Sequence, residues 1–162
     1  FSEGLAYVEQ DEKYGYINKA GIVVVPCVYK YCADFSEGLA YVEQDGKFGF
    51  IDKEGNVVIN FLYDIAFSFS EGLACVRKLG KYGFMNEKGK LIVDCIYDIA
   101  WSFSEGLAKV KKYGKCGFVD KEGALLIGFH YDDASHFSKG RAKVKLNDEW
   151  FYIDKKGNKI TD

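Results

Sequence analysis

The stretch FSEGLA occupies residues 1–6 and returns letter for letter at 35–40, 69–74 and 103–108, with a worn copy, FSKGRA, at 137–142. Phe1, Phe35, Phe69, Phe103 and Phe137 are thus spaced by 34 residues without insertion or deletion. Self-similarity at a period between about 20 and 50 residues marks solenoids, propellers and related arrays. The chain divides into four full units (1–34, 35–68, 69–102, 103–136) and a shortened fifth (137–162), which together form a single repeat domain.

A 34-residue period also suits helix–turn–helix repeats, so the letters inside the unit must decide. In the second unit, FSEGLAYVEQDGKFGFIDKEGNVVINFLYDIAFS, Leu39–Glu43 is a short apolar run closed by the turn signal Asp45-Gly46. Phe48–Asp52 follows, then a second turn, Asp52-Lys53-Glu54-Gly55, then Val57-Val58-Ile59. Short runs rich in Val, Ile, Phe and Tyr, joined by Asp/Gly turns, read as hairpin-linked strands. No unit carries an apolar stripe at helical spacing. The sequence predicts an all-β protein in which each unit is a three-stranded antiparallel meander followed by a return loop, NFLYDIAFS.

Position 4 of the unit is always Gly, position 6 Ala, position 8 Val and position 21 Gly. Of the 18 glycines, 17 fall at positions 4, 12, 15 and 21, so the glycine content belongs to the architecture. Gly15, Gly49, Gly83 and Gly117 stand between two large residues, and glycine inside a strand marks a bulge or a close approach. The expectation is an aromatic ring from a neighbouring unit packed over each. An open, superhelical or solenoid-like stack is favoured over a closed five-bladed propeller, because no strand is left over to complete a shared blade. The fifth unit reads as a cap: Arg141 replaces Leu, Glu149 replaces Lys, Phe151 replaces Gly, and Lys159 and Thr161 enter the third strand.

These residues resemble the WG repeats, also called KWG repeats, of bacterial proteins: F-S-E-G-L-A-x-V, then G-K-W-G-Y-I-D-x-x-G-x-x-V-I, then Y-D. The pattern covers essentially the whole chain. There is one systematic departure: the naming Trp-Gly is Tyr14-Gly15, Phe48-Gly49, Tyr82-Gly83, Cys116-Gly117 and Trp150-Phe151, so no copy keeps both letters. The resemblance implies a repeat scaffold that mediates interactions, and it brings no catalytic residue, cofactor or named ligand.

No run of 18 apolar residues is present, so no membrane span is expected. The chain opens on FSEG without Met, from which we expect a segment or a processed product. Five cysteines, at 27, 32, 75, 95 and 116, replace hydrophobic or small residues of the other copies and form no C-x-x-C pair. They read as small hydrophobes in a reducing or anaerobic setting.

The one concentration of catalytic letters is HYDDASH, with His130, Asp132, Asp133 and His136, and Cys116 upstream. Asp132 is the recurrent Y-D aspartate, matched by Asp64 and Asp98, so a structural role is expected and no metal site is assigned. The serine of FSEG (Ser36 and its equivalents) lacks the strand-to-helix setting of a nucleophile elbow and reads as a turn residue. The protein is expected to be no enzyme and to need no cofactor.

Function must then lie in what differs between copies. Seven aromatics stand off the recurrent positions: Tyr7, Tyr31, Tyr41, Phe67, Trp101, Tyr113 and Phe151. Phe67 and Trp101 share position 33 in the return loop, where recognition residues tend to sit. Residues 1–68 hold 5 basic and 11 acidic side chains, net −6; residues 69–162 hold 17 and 13, net +4, which gives the −2 of the chain. The reversal concentrates at positions 7 and 9. Tyr7, Glu9 and Tyr41, Glu43 become Cys75, Arg77, then Lys109, Lys111, then Lys143, Lys145. Both positions share one strand face, opposite the Val at position 8, so they are expected to point outward as one stripe. The candidate binding surface is therefore Tyr7, Tyr41, Phe67, Arg77, Trp101, Lys109, Lys111, Lys143 and Lys145. The expected partner is a protein or peptide, anionic where it meets the C-terminal half. A carbohydrate or cell-wall binding array is the alternative, and nucleic acid is disfavoured by the net charge.

Overall fold

The computed structural model of the protein describes residues 1–161, all strand, turn or extended chain. The first sheet is β1 (Leu5–Gln10), β2 (Lys13–Asn18) and β3 (Val23–Tyr29), an antiparallel meander. The second is ordered β4 (Tyr31–Cys32), β5 (Ala40–Gln44), β6 (Lys47–Ile51), β7 (Val57–Tyr63). The third comprises β8 (Ile65–Ala66), β9 (Leu73–Lys78), β10 (Lys81–Asn86) and β11 (Leu91–Tyr97). The fourth comprises β12 (Ile99–Ala100), β13 (Ala108–Lys112), β14 (Lys115–Val119) and β15 (Leu125–Tyr131). The fifth comprises β16 (Asp133–Ala134), β17 (Arg141–Leu146), β18 (Glu149–Asp154) and β19 (Lys159–Ile160).

The three-stranded meander is therefore present in every unit, and the return loop adds a strand to it. A dipeptide from the end of one unit pairs with the first long strand of the next, as in Tyr31↔Glu43 and Cys32↔Val42. Sheets two to five are four-stranded and straddle the sequence boundary at residue 34 or its equivalents. The third strand is longer than the sequence suggested, because residues 60–63 of the supposed return loop belong to β7.

Its length comes with a bulge. In the second sheet Phe48 pairs with Tyr63 and Phe50 with Ile59, so two residues on β6 oppose four on β7. Gly49 lies under that bulge, and a Cβ there would stand 2.6 Å from the Ile59 carbonyl oxygen; Gly83 would meet the Val93 carbonyl at 2.5 Å. The expected ring from a neighbouring unit is not what needs the glycine: the close approach is made by the backbone of the unit's own third strand. In the fifth unit Phe151 occupies this position and β19 pairs only at Tyr152 and Ile153, with no bulge.

Each core cluster joins two consecutive sheets. Between the first and second, Leu5, Tyr16, Val25 and Tyr29 meet Phe35, Ala40, Val42 and Ile51. Every later interface uses the same positions, and the T-shaped ring pair Tyr16–Phe35 recurs as Phe50–Phe69, Phe84–Phe103 and Phe118–Phe137 with centroids 4.8–5.0 Å apart. Among the described residues no core cluster joins the first unit to the fifth, so the array is open. Its ends differ. Phe1 is 68% exposed where Phe137 is 1%. At the far end Arg141 stands in place of leucine, its guanidinium 4.6 Å from the Tyr152 ring centroid, a charged side chain over the aromatic that the next unit covers elsewhere.

Candidate functional site

The recurrent phrase is used up in holding units together. Ser2 donates through Oγ to the Phe35 carbonyl at 2.6 Å, and Ser36, Ser70 and Ser104 repeat the bond to Phe69, Phe103 and Phe137. The glutamate beside each serine reaches one unit forward. The Glu37 carboxylate accepts the Glu71 and Gly72 N–H groups at 2.8 and 2.9 Å, and Glu3, Glu71 and Glu105 do the same at Gly38, Gly106 and Gly140. A lysine at position 19 of the following unit adds an ion pair: Lys53–Glu3 at 2.9 Å, Lys121–Glu71 at 3.2 Å, Lys155–Glu105 at 3.4 Å. Glu37 has no such partner because position 19 of the third unit is Glu87.

The Y-D aspartates are equally committed. Asp64, Asp98 and Asp132 each pair with the lysine at position 13 of their own unit, Lys47, Lys81 and Lys115. Asp132 also accepts the Asn147 N–H at 3.0 Å. Those contacts account for the aspartate of HYDDASH, and no group of three metal-ligating side chains occurs among the described residues. The cysteines are free thiols. Burial pushes Cys75 up to about 12, far from a reactive thiolate at neutral pH.

What remains is a row of variable residues at one sheet edge. Register confirms that positions 7 and 9 share a face and that Val42, Val76, Val110 and Val144 lie fully buried on the other. The expectation that position 7 points to solvent holds for Tyr7 and Lys143 and is corrected in the second to fourth units, because neighbouring sheets cover both faces of every internal sheet. Cys75 is buried, Tyr41 half-buried, and Lys109 is the one buried charged residue among the described residues, 8% exposed. Its Nζ donates to the Ala134 carbonyl at 2.8 Å and lies 3.7 Å from the Trp101 ring centroid. Lys109 and Trp101 are thus a packed pair, and Lys109 leaves the solvated stripe.

At the N-terminal end the row becomes a tyrosine pocket of about 370 Å³, lined by Tyr7, Tyr14, Tyr31, Tyr41, Cys32, Ala33, Asp34 and Ser68. Tyr7 and Tyr14 meet edge to face at 6.3 Å; Tyr31 and Tyr41 stack at 5.7 Å with rings 19° apart. Glu9 pairs across the strands with Tyr14, and Glu43 with Tyr31, so carboxylates flank both ring pairs. The hydrogen bond to Glu9 raises the Tyr14 phenol above its ordinary value. At the other end, Ser135, His136, Ser138, Lys139, Arg141, Lys143 and Tyr152 line an open basic hollow of about 560 Å³. Lys143 stands 5.5 Å from the Trp150 ring centroid.

The remaining candidates scatter. Arg77 lies over the Tyr82 ring at 5.7 Å, with its Nε buried and without a hydrogen-bond partner. Lys145 pairs with Asp148 at 2.9 Å, Lys111 is half-buried, and Phe67 is exposed apart from both pockets. Tyr14 and Asp34 belong to the pocket without standing among the candidates that the sequence offers. The available signal at Asp34 was a charge at position 34, where the other full units carry Ser68, Ser102 and His136.

Tandem sheets locked by repeated serine and glutamate bonds, with variation gathered at one edge, define an all-β repeat protein. The WG containing repeat family matches residues 1–14, 14–48, 48–82, 82–116 and 117–150, and the chain belongs to that family. No curated protein matches the sequence. The fold is similar to the crystal structure of the eukaryotic initiation factor, with a TM-score of 0.64 at 11% identity over 96% of this chain and 50% of that one. It is also similar to KlHsv2 with loop 6CD replaced by a Gly-Ser linker, with a TM-score of 0.57 at 8% identity over 99% of this chain and 62% of that one. The chain spans half the length of the first and less than two thirds of the second, and at these identities the likeness concerns the fold alone. Among the described residues no helix is long and apolar enough to cross a membrane.

Proposed function

We propose that the protein is a non-catalytic scaffold that binds a protein or peptide partner along its variable edge. The observation that supports this is the division of labour within the repeat. Recurrent Ser, Glu and Asp side chains are spent on internal bonds, while the residues that differ between copies gather into an acidic tyrosine end and a basic end. Burial keeps the Cys32 and Cys75 thiols protonated, and Asp132 is committed to Lys115 and the Asn147 N–H. Neither the thiols nor the recurrent aspartate is poised for chemistry, which supports binding without turnover. The net charge of −2 argues against nucleic acid.

The basic end, with Lys139, Arg141 and Lys143 around one hollow, suits an anionic stretch of the partner, whose attraction is screened over about 8 Å at physiological salt. The test is affinity capture of partners from source lysate, beside a glycan array. A protein retained by the wild type and released by the double change Lys139→Glu, Lys143→Glu supports the reading. Binding to a glycan with no protein partner would replace it with a carbohydrate-binding array.

A further inference from the structure

We propose that the tyrosine pocket between the first two units is a receptor for a cationic side chain, the ammonium of lysine or the guanidinium of arginine, carried by a basic peptide. The proposal rests on the interaction reading above and names the chemistry of its N-terminal end.

Four phenol rings line the pocket in two pairs, and Asp34 and Ser68 complete its wall. Aromatic faces carry negative potential and attract ammonium and guanidinium groups within about 6 Å of the ring centroid. Asp34 is exposed and makes no ion pair among the described residues, so its charge is available to a ligand. Glu9 and Glu43, set beside the rings by strand register, add to the field, as does the net −6 of residues 1–68. A carboxylate or phosphate ligand would meet repulsion here, and an apolar one would leave Asp34 and the phenol hydroxyls without gain.

The array itself shows how a cation is held at this level of the fold. In the fourth unit the side chain at position 7 is Lys109, whose ammonium donates to the carbonyl at position 32, Ala134, and lies against an indole face. In the first unit position 7 is Tyr7 and position 32 is Cys32, and both line the pocket. Between the first two sheets no lysine lines the corresponding space among the described residues, and rings stand around it instead. An external lysine or arginine would supply there the kind of charge that Lys109 supplies three units on.

The probes are blocked peptides carrying one lysine, one arginine or one Nε-acetyllysine in the same neutral sequence, with choline as a fourth. Binding is read from the ring resonances of selectively labelled tyrosine in the whole chain. Lysine or arginine peptides should shift Tyr7, Tyr14, Tyr31 and Tyr41, and the acetyllysine peptide should not. Asp34→Asn, at an exposed position that leaves the fold intact, should weaken binding about tenfold. The double change Tyr7→Leu, Tyr31→Leu should abolish the shifts. Equal binding of the acetyllysine peptide, or unshifted rings at saturating lysine and arginine peptide, would overturn the proposal. Choline bound in preference to both peptides would overturn it in favour of a headgroup site. A lysate partner captured by a chain whose rings stay unshifted at saturating lysine and arginine peptide would sink the pocket while leaving the scaffold reading standing.

Discussion

Glu37 accepts hydrogen bonds from the N–H groups of both Glu71 and Gly72, one unit away in the chain and adjacent in space. This contact ties two sheets together through a carboxylate and a turn. Lys53 holds Glu3 below the ordinary glutamate value, and the Gly140 N–H does the same for Glu105. At Glu71 burial pushes upward, but the Gly106 N–H and Lys121 outweigh it. Folded values that lie below the unfolded one stabilise the protein above that unfolded value, 4.5, and the contribution is lost as pH falls through the depressed folded values. The melting temperature should therefore hold steady at neutral pH and drop below about pH 4.5. Glu71→Gln should flatten that drop and lower stability at pH 7 by about 1 kcal/mol, read by circular dichroism.

Gly83→Ala should destabilise by about 3 kcal/mol in urea, because a methyl group there meets the Val93 carbonyl inside van der Waals range and the bulge must be undone. Gly72→Asn should lose about 1 kcal/mol or less, since it has a left-handed φ of +85° but nothing within 4 Å of a Cβ. Equal losses at the two sites would refute the role assigned to the bulge.

Lys109→Ala should lower stability by about 2 kcal/mol, because it strips the Trp101 face and leaves the Ala134 carbonyl without its donor. Lys143→Ala, exposed at the corresponding position of the last unit, should change stability by less than about 0.5 kcal/mol. Thermal denaturation of the pair separates a structural lysine from a surface one.

Removing residues 137–162 would bare Leu107, Phe118, Ile127 and Tyr131, which the fifth unit covers. The truncated chain should bind a hydrophobic dye and elute as aggregate in size exclusion. A monomeric, equally stable truncation would show that capping by the fifth unit is dispensable.

The period, the meander and the turns were legible because each is written in local letters: Gly at fixed offsets, β-branched runs, and Asp-Gly pairs. The short strands Tyr31–Cys32 and Ile65–Ala66 were not, since two residues are too few to display a period. The small buried residues Cys32, Ala66, Ala100 and Ala134 at position 32 were the available sign of close packing. Alternation places positions 7 and 9 together on one face but cannot say what covers that face, which is why Lys109 looks like a surface charge in the sequence and is buried in the fold. Gly49 was correctly read as a close approach, but whether a ring or a carbonyl approaches depends on the bulge in β7. Of the pocket, Tyr7, Tyr31 and Tyr41 stood out as off-pattern aromatics. Tyr14 hid among recurrent ones, and Asp34 needed the fold to bring it to them.

Each four-stranded sheet begins four residues before the sequence phrase that seemed to start it, as with Tyr31 ahead of Phe35. For a gene that grows by tandem duplication this offset is immaterial in the interior. Copying any window of one period inserts a complete sheet and regenerates every seam on both sides of it. The offset matters only to someone excising a module. A cut at the phrase strands the edge dipeptide on the wrong fragment, whereas a cut just before Tyr31 or Ile65 keeps each sheet whole. Recombinant arrays of chosen length should therefore be assembled from pieces such as 31–64, not from pieces that open on phenylalanine.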